Sequence, residues 1–510
     1  MRARSSPRPR ARSRALAGSG RAGPTIRGCS ALFGTDGEYT AFASVAAGQF
    51  DPIKAHLRAV RQVSDIVNDR SGKVVHEVVS DGSVYFGANG DPGNTDETSK
   101  FPSAVALVWR WTGDRTFLDE MYDFSVRNMR HVVGTLDADG DGWPEGLGNV
   151  ERSGMGVEKL DNTVYTIRGL RDLADMAGAR GDAATARWAS GRAAAMESGF
   201  DRAWWYGGNT GQFADSLDDP ADPAGDNNKI FQRHWIGVTP MDAELVRPGR
   251  VTRPLATDEH ARTALGKREE PCYTGTYGLY HTGTGPTSAS GGNRGPACDT
   301  AVSSVHSERS VYSLGNGIMA VAEGNYGRLD RQRRYTTHNA RIQLDPAVWE
   351  MPGAMPEIAP GPDFDPPNID RSLTGRSMVL QAWGAYGNLW PVVHQQLGVA
   401  PDLGHGRLEI VPQVPAGQTR VAGHDIRLGG GTADVTAEAG HGFLRTVVNT
   451  RGIGAALLIG QVLPAGARVA SATLKGRPIA HTVRRTARGD EVVADAGRTG
   501  GPSTLVITLR

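Results

Sequence analysis

The chain has 510 residues, enough for two domains, and an ordinary composition of 39% hydrophobic and 22% charged residues. Its 56 Lys and Arg against 55 Asp and Glu leave a net charge of +1, without the basic excess of a dedicated nucleic-acid binder. No apolar run approaches the roughly 20 residues needed to span a membrane, and three cysteines are too few for a disulfide scaffold.

In chain order, residues 1–30 come first, rich in Arg, Ser, Pro, Ala and Gly and free of acidic residues. They lack the apolar centre of a secretory signal and read as a disordered basic segment. From about residue 31 to 400 the apolar residues recur at helical spacing. The pattern predicts paired helices over 36–48 and 51–67, 96–111 and 115–133, and 160–177 and 182–203. Weaker pairs follow over 238–245 and 260–266, 311–324 and 328–344, and 376–387 and 389–397. Gly-Asp and Asp-Pro steps at the joints are stop-and-cap chemistry. Twelve helices with alternating short and long connections predict a mainly α fold, an (α/α)6 toroid whose long connections all emerge at one end. From 401 to 510 short β-rich segments alternate with Gly-containing turns, which predicts a small β-sandwich-like domain. Cys272 and Cys298 flank a Gly/Ser/Thr-rich loop and are a possible bridge, which would leave Cys29 over; three free thiols are the alternative.

The long connections carry the chemistry. They hold Asp36, His76, Glu77, Asp96, Glu158, Asp161, His234, Trp235, His281 and Glu357. Asp137-Ala-Asp-Gly-Asp-Gly-Trp-Pro-Glu145 is the densest acidic cluster, and Gln381-Ala-Trp-Gly-Ala-Tyr-Gly387 the densest aromatic one. Acetal hydrolysis needs one carboxylic acid for the leaving oxygen and one carboxylate for the nucleophile. It also needs flat apolar walls for sugar rings.

The order Phe-Gly-Thr-Asp (33–36), Gly-Lys-Val-Val-His-Glu (72–77), Asn-Thr-Asp-Glu-Thr (94–98), the 137–145 cluster, Glu-Lys-Leu-Asp (158–161), a late Glu and Gln-Ala-Trp-Gly-Ala-Tyr-Gly (381–387) resembles the six-hairpin glycosidase superfamily. Within it the motifs look most like the amylo-α-1,6-glucosidase part of glycogen-debranching enzymes, with trehalase-like and α-L-rhamnosidase-like features. Thr35 stands where debranching enzymes carry Arg, and Asp96-Glu-Thr replaces their Asp-Ala-Thr. The resemblance covers about residues 32–412. It implies an exo-acting inverting hydrolase of oligo- or polysaccharides, with α-glucosidic linkages favoured. An α-L-rhamnosidase-like enzyme, a sugar epimerase or phosphorylase, and a non-catalytic sugar-binding protein are the alternatives on the same toroid.

The resemblance makes Asp161 the general acid, with Glu158 as the alternative; the plain reading of Asp161 is a helix N-cap. Glu357, in a Pro- and Gly-rich loop, is the general-base candidate, with Glu350 behind it. Asp36 and Asp96 are candidates for gripping sugar hydroxyls. His76, Glu77, Trp143, Glu145, His234, Trp235 and Trp383 are candidate substrate contacts. Trp383, Tyr386 and Trp390 share a helical stripe; Trp383 is expected at the sugar pocket, beside space left by Gly384 and Gly387, and Trp390 in the core. No cofactor is implied, since no zinc spacing, P-loop or dinucleotide fingerprint occurs. Asp137, Asp139 and Asp141 resemble the opening of a calcium loop, but its twelfth position is Gly148 instead of Glu. That favours a tight polar turn aiming Trp143 and Glu145 into the mouth.

Overall fold

The computed structural model describes residues 32–79, 82–88, 91, 93–150, 154–208, 210–218, 228–246, 252–283, 310–346, 352–359 and 381–510. The basic segment 1–30, Cys29, Cys298 and Glu350 lie outside them. Cys272 is disulfide-bonded.

Helices dominate as far as residue 396. One set is α1 (Gly34–Ala46), α3 (Thr95–Thr112), α5 (Leu160–Arg180), α7 (Thr239–Asp242), α9 (Ser313–Asn325) and α11 (Tyr386–Trp390). Each touches the next, and α11 returns to α1, so the set closes on itself. The other set is α2 (Phe50–Val67), α4 (Arg115–Thr135), α6 (Ala183–Trp204), α8 (Asp258–Arg268) and α10 (Leu329–Leu344). Burial separates the sets. Every residue of α9 is buried, whereas α2 buries only Phe50, Ile53, Leu57, Val60 and Ser64, one stripe at helical spacing. The first set is therefore an inner ring and the second an outer layer. Side-chain caps mark the turns between sets: Asp114 accepts from the Phe117 N–H and Asp182 from the Thr185 N–H.

Two expected pairs differ. The stretch 238–245 is a 3-10 turn, Trp235–Val238, the single turn α7, and a strand, Glu244–Val246, that pairs with Thr252–Pro254. Of the last pair, residues 376–380 lie outside the described residues, and no turn breaks the helix at 388. α11 runs straight into a π-helical stretch, Pro391–Gln396, in which Leu397 N–H reaches back five residues to the Val392 carbonyl. Pro391 has no N–H to give, so the helix forgoes one backbone hydrogen bond at this junction.

The inner helices begin at one end. Short pairings sit just before them: Leu32–Phe33 with Glu77–Val78 before α1, Glu158–Lys159 with Ser216–Leu217 before α5, and Val311–Tyr312 with Ile358–Ala359 before α9. Bridges between Asn94 and Leu147 and between His234 and Thr282 do the same before α3 and the 3-10 turn leading to α7. These pairings pin the start of each helix, and so the first-turn side chains.

From Val399 the chain builds two sheets of five and six strands. In the strand Gly431–Gly440 buried and less buried residues alternate, the period of a strand with one covered face. The sheets meet the ring at the far ends of its helices. Arg427 donates to the Gly48 carbonyl after α1, Gly429 N–H to the Trp111 carbonyl in α3, and Gln413 to the Gly327 carbonyl after α9.

The glycines beside the aromatic stripe do not leave open space. A Cβ on Gly387 would lie 2.4 Å from the Gly317 Cα, and one on Gly384 would lie 2.6 Å from Ser313 Oγ. Gly387 is where α9 and α11 touch backbone to backbone, and Gly384 makes room for the Ser313 and Met355 side chains. Trp390 is 4% exposed and packs edge-on against Phe42 at 4.8 Å between ring centres. In urea denaturation, Trp390→Ala is expected to cost about 3–5 kcal/mol and Gly387→Ala about 1–3 kcal/mol.

Candidate active site

Three aspartates stand in the first turns of three consecutive inner helices: Asp36 in α1, Asp96 in α3 and Asp161 in α5. Helix N-termini favour carboxylates, but burial here outweighs that. Asp96 and Asp161 are at most 1% exposed. Burial lifts Asp36 to about 7, with His76 opposing and Glu97 adding to the rise. Asp96 is raised well above its usual value by burial, then by Glu97 and Asp161. Asp161 is raised by burial against the Asn149 N–H. The three carboxyls thus form a crescent in which protons are held toward neutrality.

Each member has a specific hold. Thr35 Oγ1 donates to Asp96 Oδ2 at 2.6 Å, Asn149 N–H to Asp161 Oδ2 at 2.9 Å, and Gln381 Nε2 to Asp36 Oδ2 at 2.8 Å. Asp161 needs Gly148 above it, since a Cβ there would sit 2.9 Å from both carboxylate oxygens. Gln381 also ties in the segment carrying Glu357, because its N–H donates to the Met355 carbonyl. Glu357 itself is half-buried, and its carbonyl accepts the Ser313 N–H at the start of α9.

His76 accompanies the crescent. Its Nδ1 lies 2.5 Å from Glu97 Oε1. Burial lowers the imidazole pKa, but the charge and hydrogen bond of Glu97 raise it more, to about 10. His76 is therefore a fixed imidazolium at neutral pH. Glu77 pairs across the short sheet with Phe33 and Phe86.

The floor is a charge cluster that sequence reading missed. Lys100 Nζ lies 3.5 Å from the centre of the Tyr39 ring and 4.3 Å from that of Tyr165. Burial, then Arg168, lowers it to about 7 against the pull of Asp242, Glu38 and Asp96. Asp242 accepts the Tyr386 hydroxyl at 2.9 Å. Glu38 is 1% exposed, and neither carboxylate oxygen has a hydrogen-bond partner. A Lys four residues after Asp96 at the head of an otherwise apolar helix was the available signal for Lys100.

Other candidates lie elsewhere or do structural work. His234 Nδ1 is 2.8 Å from Thr282 Oγ1 and its Nε2 2.9 Å from Gln232 Oε1, so both ring nitrogens are occupied within the protein. Its neighbour Arg233 is held at φ 68, its N–H donating to Asp215 Oδ2 at 2.8 Å; such strain clusters at functional sites. Trp235 and Trp383 are 2% and 7% exposed, and neither indole N–H has a hydrogen-bond partner. Trp143 is turned from the crescent and packs edge-on to Trp204. Glu145 and Glu158 join the acidic loop, not Asp161. Glu145 Oε1 accepts the Asp139 N–H at 3.3 Å, and burial, then Asp141 and Asp139, pushes Glu158 up to about 9.

Around the crescent, Asp96 Oδ1, Asp161 Oδ1, Asn162 Oδ1 and both Glu38 oxygens are buried without a hydrogen-bond partner. Unsatisfied buried acceptors are costly and rare in proteins. A polyhydroxylated ligand supplies the donors such a cluster lacks, and the Trp235 and Trp383 indoles add donors of their own.

No protein-family model matches the chain, and no curated protein sequence matches it. Its fold is shared with solved α-L-rhamnosidases. That of Dictyoglumus thermophilum is 12% identical with a TM-score of 0.55, over 93% of this chain and 46% of that one. That of Streptomyces avermitilis, solved with L-rhamnose, is 14% identical with a TM-score of 0.53, over 93% and 38%. That of Aspergillus terreus is 15% identical with a TM-score of 0.52, over 91% and 44%. The chain thus spans less than half the length of each.

The raised carboxyl of Asp36 has a consequence for stability. Folded Asp36 keeps its proton to about pH 7, while an ordinary aspartate carboxyl loses it near 3.8. The folded state binds more protons between those values, so this group makes stability fall as pH rises from about 4 to about 7 and level off above. Asp36→Asn is expected to remove that slope and to raise the urea midpoint most above about pH 7. Parallel denaturation series of the two proteins across that range check it.

Proposed function

We propose that this chain is a glycoside hydrolase working at the carboxylate crescent. The carrying observation is the set of Asp36, Asp96 and Asp161 at the mouth of one closed ring of helices, each held toward its neutral form by burial. The shared fold with α-L-rhamnosidases supports the reading, as does the order of sequence motifs. The closed inner ring is read as the core of an (α/α)6 toroid, with the π-helical stretch and the sheets standing where a sixth outer helix would complete it.

In this reading the neutral carboxyl of Asp161 gives its proton to the glycosidic oxygen as the bond to the anomeric carbon breaks. Glu357 takes a proton from the water that attacks the opposite face, so the sugar leaves with inverted configuration. Asp36 and Asp96 accept sugar hydroxyls, and Gln381 holds Asp36 in place. Lys100 and Arg168 balance the negative charge from below. Trp235 and Trp383 are almost fully buried and offer their unpartnered indole N–H edges. An α-L-rhamnoside is the first substrate to test, because the solved proteins whose fold it shares above are α-L-rhamnosidases. An α-glucoside is second, favoured by the debranching-like order of motifs from Phe33 to Glu158.

Proton NMR of reactions with aryl α-L-rhamnoside and α-glucoside, with and without phosphate, should reveal a free sugar of inverted anomeric configuration. Retained configuration would remove the acid–base pair, and a sugar phosphate would make the chain a phosphorylase. Glu357→Gln is expected to fold normally and to lose at least about a hundredfold in kcat; Asp161→Asn should lose a similar factor. Near-normal turnover in a folded Glu357→Gln protein would move the base elsewhere.

A further inference from the structure

The acidic loop from Asp137 to Glu145 has no part in that chemistry. One ligand oxygen from each of Asp137, Asp139 and Asp141 can be chosen so that all lie within 4.8 Å of one another. The loop shapes them. Asp137 Oδ1 accepts the Gly142 N–H at 3.1 Å, Asp139 Oδ1 the Asp141 N–H at 3.1 Å, and Asp141 Oδ1 the Trp143 N–H at 2.8 Å. The second oxygen of each stays uncommitted. Gly140 and Gly142, at φ 82 and 100, let the chain curl this tightly.

A second, independent observation comes from beneath. Glu158 is 1% exposed, and its Oε2 has no hydrogen-bond partner. It bridges to Glu145 across the backbone, and the charges facing it are Asp141, Asp139, Glu145 and Asp137. Lys159 next door relieves it only in part: its charge attracts Glu158, but its ammonium donates its hydrogen bonds to the Gly156 and Val157 carbonyls. Among the described residues no Lys, Arg or His makes an ion pair with any of these five acids. A buried carboxyl that makes no ion pair and faces four acidic groups holds its proton unless a cation lies among them to stabilise the ionised form.

We propose that this loop binds one calcium ion on Asp137, Asp139 and Asp141, with Glu158 as the buried carboxylate that closes the site from below. Oxygen-only ligands on an adaptable loop suit calcium better than magnesium, which demands near-ideal octahedral geometry, and no nitrogen or sulfur donor invites zinc. Glu158 supplies from a separate strand the negative charge that Gly148, at the loop's twelfth position, does not.

The test needs no substrate, so it is independent of the hydrolase reading. Chelator-treated protein is titrated with terbium, with Trp143 as the sensitiser, and calcium is then added as competitor. One calcium per chain is expected, with a rise in Tm of a few degrees at about 1 mM calcium and much less with magnesium. The double variant Asp139→Asn/Asp141→Asn, at exposed positions and so expected to fold, should weaken binding at least tenfold. Glu158→Gln should weaken it severalfold and raise the Tm of the calcium-free protein. No calcium-dependent signal in the native chain, or the same signal in the double variant, would overturn the site. Native-like binding by Glu158→Gln would overturn the part given to Glu158.

Discussion

Among the described residues, the inside of the helical ring gathers more acidic groups than basic ones to answer them. Glu38, Asp36, Asp96, Glu97, Asp161 and Asp242 gather there, and the cations among them are Lys100, Arg168 and His76. Everything else about the inner ring follows from holding that mixture together. Aromatic rings wall in the Lys100 ammonium, and Tyr39 and Tyr165 meet hydroxyl to hydroxyl at 2.5 Å. Helix starts are pinned by small β pairings, so that no first-turn carboxyl can swing out to water. In a low-dielectric interior such an arrangement is expensive for folding. It persists where function uses the unrelieved potential, as sites that handle protons at neutral pH do.

The sequence carried the long helices clearly. α3, α5 and α6 each exceed four turns, so their apolar spacing repeats enough times to be read. α7 is one turn long and α11 little more, and periodicity has nothing to count over such lengths. The π-helical stretch from Pro391 reads in the sequence as a helix of its own, because five-residue closure does not alter apolar spacing over a single turn. For the site, Asp36, Asp96 and Asp161 were legible because each follows a polar loop and opens an apolar run. Glu38, Lys100, Arg168 and Asp242 were not, since the contacts that gather them, such as Lys100 with Tyr39 and Tyr165 and Asp242 with Tyr386, join distant parts of the chain and form only once the ring closes. Trp143 was misplaced for a related reason: it lies among carboxylates in the chain, while its indole turns back onto α6.

The same reading explains why neighbouring acids part company. Glu158 and Asp161 are three residues apart, yet the strand Glu158–Lys159 ends where α5 begins. In the strand, side chains alternate across the sheet, and Glu158 falls toward the acidic loop. At the helix start, Asp161 turns inward to Asp96. A change of backbone state thus divides one acidic stretch between two separate electrostatic settings.

The sheets after Val399 look, by composition, like an appended module. Their contacts say otherwise. A Cβ on Gly404 would lie 2.2 Å from the Trp109 ring, and His405 stacks edge-on to the same indole at 4.9 Å. Trp109 is 1% exposed, and that turn covers part of it. Cutting the gene between ring and sheets would bare an indole on α3 and leave carbonyls after α1 and α9 without their donors. The helical part is therefore not a transferable cassette. Recombination that preserves it must carry the sheets along, and the two halves are expected to be inherited as one unit.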